Sequence, residues 1–74
     1  MNALSELQKE IMARLAELGI PREDILAVML MLTKEEKARD FLSLLQEKET
    51  FSADQIREMT ARIAFRDREE SREV

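Results

Sequence analysis

Residues 25–32 read Ile-Leu-Ala-Val-Met-Leu-Met-Leu, the longest apolar run in the chain, and residues 33–36 read Thr-Lys-Glu-Glu. A helix made from the first stretch has no polar face, so it asks for neighbours on more than one side. The second stretch is a capping box, Thr33 with Glu36 three residues on, and it predicts that a new helix starts there. Phase gives the same answer. In one continuous helix from Pro21 to Lys48, the face carrying Ala38, Phe41, Leu42, Leu44 and Leu45 would point roughly opposite to Ile25, Met29 and Leu32. A break near Thr33 turns both faces toward one core.

Working back from that run, Gly19 and Pro21 separate it from a first helix over Asn2 to Leu18. Glycine tolerates the left-handed conformation that ends a helix, and proline suits the first position of the next, followed by Glu23 and Asp24 at the positive end of the dipole. Helix 1 carries Leu4, Leu7, Ile11, Leu15 and Leu18 in one stripe, widened by Met12. Its other side is charged, with Glu6 and Lys9, and Glu10 and Arg14, at the spacing of weak surface ion pairs. Working forward, the polar segment Glu47 to Thr50 marks a turn. Ser52 and Gln55 form a second capping box, with Phe51 placed as a hydrophobic staple. Helix 4 then runs from about Ala53 to Ala64 or a little beyond, with Ile56, Met59 and Ile63 inward. Ile20, Ile25 and Val28 match Phe51, Ile56 and Met59 at a constant offset, a thin repeat that two similar hairpins would produce.

The expected fold is therefore all-α: a compact bundle of four short helices, built as two helical hairpins with helix 2 central. Residues 1–65 form the domain, and the almost wholly charged residues 66–74 form a tail. A chain of 74 residues with one glycine, one proline, and neither cysteine nor histidine supports this. It has no disulfide or ordinary zinc ligand to staple a small core, so packed helices must suffice, with or without a second copy of the chain.

Composition also excludes. The net charge of −4 is spread along the chain and gives no footprint for nucleic acid or an anionic membrane. The apolar run falls well short of the roughly 20 residues that span a bilayer. The N-terminus lacks the pattern of a signal peptide, and a cytoplasmic location is expected. Without His or Cys the usual general base and thiolate are missing, and one glycine cannot build a phosphate-cradling loop. Glu23 with Asp24, and Glu35 with Glu36, are neighbours in sequence that diverge by about 100° on a helix, so they read as first-turn acids. No enzyme activity, cofactor or metal is expected.

What remains is a protein-interaction or regulatory module whose partner is another protein or a second copy of the chain. The residues expected to meet that partner are Ala27 and Met31, which lie between the two main faces of helix 2, and Ala61 and Phe65, on the outward side of helix 4. Phe65 falls close to 180° from Ile56 and Ile63, so either the helix distorts there or the ring contacts something outside the bundle. The alternative reading is a DNA-binding or transcription-associated protein. Helices 3 and 4, with Leu44-Leu45 before Phe51-Ser52-Ala53-Asp54-Gln55-Ile56, loosely resemble the first two helices of a helix-turn-helix domain. Its reading face would offer Asp54, Arg57, Glu58, Ala61 and Arg62, and the two acids there would cost affinity for phosphate.

Overall fold

The structure, a computed structural model, describes residues 2–66. Each end of its helices has a chemical cause. Asn2 opens α1 (Ala3–Glu17), its side-chain oxygen accepting from the Leu4 N–H at 3.0 Å. The helix closes in a Schellman motif: the Gly19 N–H donates to the Ala16 carbonyl and the Ile20 N–H to the Leu15 carbonyl, both at 3.1 Å, with Gly19 at φ +79°. Leu15 and Ile20, the two ends of that motif, are both buried. Pro21 then stands one position before the expected one, as the N-cap of α2 (Arg22–Met31), its carbonyl accepting from Asp24 and Ile25.

The break after the apolar run is real, but Thr33 does not cap the next helix. The N-cap is Lys34, no side chain caps, and α3 spans Glu35–Leu45 with Glu35 and Glu36 in its first turn. Burial of Leu32 sets the position. Its side chain is fully buried, its backbone leaves the helical region at ψ 73°, and its carbonyl accepts from Gln8 Nε2 at 3.3 Å. The chain is pinned at Leu32 and restarts as helix only after Lys34, whose backbone is extended. The second capping box forms as expected at the start of α4 (Ala53–Ala64). The Gln55 N–H donates to Ser52 Oγ at 3.2 Å, and the Ser52 N–H to Gln55 Oε1 at 2.9 Å. Phe51, just before it, packs partly buried against the core.

The all-α bundle of four helices is as expected, but helix 2 is not its centre. Contacts run α1–α3, α3–α4, α4–α2 and α2–α1, closing a ring in which α1 on α3 is the most extensive. No Cα of α2 comes within 8 Å of one of α3, nor any Cα of α1 within 8 Å of one of α4. The core is Ile11 and Leu15 of α1, Ala38, Phe41 and Leu45 of α3, Ile56 and Ile63 of α4, with Ile20, Val28 and Leu32. Val28 is the only residue of α2 proper in that set.

Two polar residues are also buried. Lys37 on α3 donates from Nζ to the Ala64 carbonyl at 2.8 Å, satisfying an acceptor at the end of α4. Thr60 donates to the Ile56 carbonyl at 2.7 Å within its own helix. Arg14, instead of joining Glu10, faces Glu17 at 3.5 Å and donates to the Lys48 and Glu49 carbonyls. Of the expected tail, Arg66 pairs with Asp40 at 2.9 Å, and residues 67–74 lie outside the described part.

A Cβ at position 19 would meet nothing within 4 Å, so the cost of Gly19→Ala is conformational alone. It is expected to lower stability by about 1–2 kcal/mol in urea unfolding. An unchanged midpoint would show that the left-handed turn is not what sets the α1–α2 connection.

Candidate interaction surface

Helix α2 carries apolar residues all round, and its neighbours cover only part of the circumference. Val28 is buried, and Ile25 and Met29, with Leu32 just beyond the helix, turn inward beside it. At about 100° per residue, Leu26 and Leu30 lie one turn apart on the side away from Val28. They are 51% and 79% exposed, and Leu30 is the most exposed of the large apolar side chains among the described residues. The cause lies in the ring: α2 has α1 on one flank and α4 on the other, and α3 sits diagonally across.

Between α2 and α4 the surface dips into a small cleft of about 80 Å³, lined by Asp24, Ala27, Val28, Met31, Arg57 and Thr60. The space suits one aliphatic side chain better than a small-molecule substrate, which needs several hundred Å³. Its rim is tied by an ion pair across the helices. Arg57 Nε lies 3.1 Å from Asp24 Oδ1 and Nη2 3.2 Å from Oδ2, a two-pronged contact. Arg57 Nη1 also reaches Asp54 at 3.2 Å. The hydrogen bond to Asp24, followed by that carboxylate's charge, raises the guanidinium pKa above its ordinary value. A cation raised in this way keeps its contribution through the neutral range and loses it as the pH rises into strong alkali. Arg57 is in solvent contact, so salt screens the pair.

Of the residues expected to meet a partner, Ala27 and Met31 come together on the α2 side of this cleft, Ala27 exposed and Met31 half-buried. Ala61 and Phe65 do not line it. Ala61 is half-buried on α4. Phe65 is 46% exposed at the C-cap, with the helix ending at Ala64 and the Phe65 N–H still donating to the Ala61 carbonyl. Sequence reasoning assigned the open sector to Ala27 and Met31 and missed that Leu26 and Leu30 lie further out. Their angular distance from Val28 was the available signal. Met12, placed in the stripe of helix 1, is 40% exposed.

No group of three or more acidic side chains among the described residues could hold a metal ion. Every deeply buried side-chain nitrogen or oxygen there has a hydrogen-bond partner. On the face proposed to read DNA, Arg57 is held by Asp24 and Asp54, and Arg62 pairs with Glu58 at 2.7 Å. Compared with known families, curated proteins and solved structures, the chain matches none.

The rim pair makes a salt-dependent prediction. Asp24→Asn keeps the size of the side chain and removes the charge that faces Arg57 and the start of α2. The variant should melt below the wild type in low salt, and the gap should shrink at 1 M NaCl, where screening acts over about 3 Å. A gap of the same size in both salts would show that the charge of Asp24 contributes nothing to holding α2 against α4.

Proposed function

We propose that the chain is a non-catalytic protein-interaction module, and that its docking surface is the outer side of α2 together with the mouth of the α2–α4 cleft. The observation that carries this reading is the pair Leu26 and Leu30. A single exposed leucine needs no explanation. Here two stand one helical turn apart, beside an apolar cleft, in a domain close to the smallest size that folds unaided. A chain with so few core residues leaves apolar side chains in water on the helix that contributes least to its own core.

A cytoplasmic setting belongs to the same proposal. No helix among the described residues is long and apolar enough to cross a membrane. The absence of a catalytic role is supported by the sequence, which supplies neither histidine nor cysteine. DNA binding has less support, because the arginines of α4 that would approach phosphate already face carboxylates.

Two measurements on the same surface test the reading. Leu26→Lys with Leu30→Lys should leave stability within about 0.5 kcal/mol of wild type, as surface positions do, while Leu32→Ala costs about 2–5 kcal/mol. A photo-crosslinking residue at position 30, in living cells, should give a discrete adduct that Leu26→Lys removes; the same probe at position 58 should give none. Loss of folding in the double variant, or no adduct at position 30, would contradict the proposal.

A further inference from the structure

The cleft within the docking surface just proposed, on which this inference rests, has a charged rim at one end and an apolar mouth at the other. The directions of the helices produce this. Gln8, in the first half of α1, meets the carbonyl just beyond α2, while Arg14, in its last turn, meets the loop that leads into α4. Lys37, near the start of α3, meets the end of α4. α2 and α4 therefore start at the same end of the bundle and run parallel, with their first turns side by side. Those turns hold Glu23, Asp24 and Asp54. Asp24 lines the cleft, Asp54 shares its guanidinium, and the exposed Glu23 stands one turn before Ala27 at the mouth. Arg57 is the base held among them. Arg22 lies about 160° around α2 from Asp24, on the side away from the cleft, and Arg62 is held by Glu58. The positive ends of the two helices add about half a charge each. Three carboxylates thus exceed the nearby positive charge by about one unit. Asp54, 91% exposed, presents that excess most openly. Past Arg57 the mouth turns apolar, with Ala27 and Met31 at its edge and Leu26 and Leu30 beyond.

We propose that the occupant of this cleft is a basic amphipathic helix of another protein, which seats one aliphatic side chain beside Ala27, Met31 and Thr60 and holds a lysine or arginine against Asp54 and Glu23. The groove between two parallel helices receives a third by ordinary ridge-into-groove packing. An extended peptide would need a strand edge to pair with, and the regular elements among the described residues are all helices. The 10 residues of α2 span about 15 Å, close to three turns. That length accepts a short seam of apolar anchors at helical spacing. A base on the flank of the incoming helix meets the carboxylate excess, whereas an acid there sets like charge on like charge and costs affinity. The cleft admits one side chain, so the contact is small and the complex is weak and reversible.

The test is a titration of the full chain, labelled with nitrogen-15, by two capped synthetic peptides of about fourteen residues. They share one seam of leucines; lysines flank the seam in the first peptide and glutamates in the second. In low salt the lysine peptide should move the amide signals of Ala27, Leu30, Met31, Arg57 and Thr60 with a Kd of about 0.1 mM. The glutamate peptide should move none of them up to about 1 mM. Leu30→Lys should abolish the shifts. Glu23→Gln with Asp54→Asn should weaken binding of the lysine peptide about five- to tenfold. Glu6→Gln with Glu10→Gln removes the same net charge from exposed positions on the side of α1 turned away from Gln8 and α2. That variant should bind within about twofold of wild type. Far-ultraviolet circular dichroism confirms that each variant is folded. No shift of these amides by the lysine peptide overturns the inference, as does equal binding of the two peptides. Equal weakening by the rim and far-side variants also overturns it, since net charge alone would then explain the attraction. An adduct at position 30 in any of these cases leaves the docking surface standing without a basic occupant. No adduct at position 30 overturns the docking surface itself.

Discussion

The contact of α1 on α3 is the constraint from which the rest of this small domain follows. Ile11 and Leu15 from one side, and Ala38, Phe41 and Leu45 from the other, are shielded completely from water. Fully burying a large apolar side chain is worth about 1.5–3 kcal/mol, so this pair of helices carries a large share of the hydrophobic stabilisation. The same two helices supply the polar ties that fix everything else. Gln8 of α1 holds the carbonyl at the end of α2, Arg14 of α1 holds carbonyls of the α3–α4 loop, and Lys37 of α3 holds one at the end of α4. Each satisfies an acceptor that the backbone leaves open near a helix end, and each does so across elements. α2 and α4 are thus fastened at their ends to a pair that is already packed.

Features that depend on a few consecutive residues were legible in the sequence. Gly19 ends α1 and Ser52 with Gln55 starts α4 because those devices satisfy local backbone groups, and no distant residue is needed to form them. Features decided by the ring were not legible. The capping box at Thr33 satisfies the same local rule, yet burial of Leu32 delays the helix and leaves Lys34 at its N-cap. Lys37 lies between Phe41 and Leu44 around α3 and so points inward, which periodicity could have shown. That a buried acceptor awaits it at the end of α4 could not be read from spacing. The apolar run at 25–32 suggested a central helix because apolar residues normally mark the interior. With α2 and α3 diagonal to each other, one side of α2 has no neighbour, and that is the side carrying Leu26 and Leu30.

The surplus on α2 is therefore a consequence of topology joined to a choice of residues. A diagonal placement alone would expose one face of α2, and a sequence shaped only for folding would have made that face polar. Leu26 and Leu30 instead keep that face apolar. Part of the candidate surface could be read directly, since Ala27 and Met31 do border the cleft. The rim contact between Asp24 and Arg57, separated by 33 positions, required the placement of α2 against α4.

The account rests on α1 and α3 forming the stable unit to which α2 is attached. Native-state hydrogen exchange at low protein concentration tests this most directly. Amides at Ile11, Leu15, Phe41 and Leu45 should exchange only through global unfolding, while those at Val28, Met29 and Leu30 should open at lower free energy, in a separate step. Protection of α2 equal to that of α1 and α3, lost together with them in one transition, would contradict it.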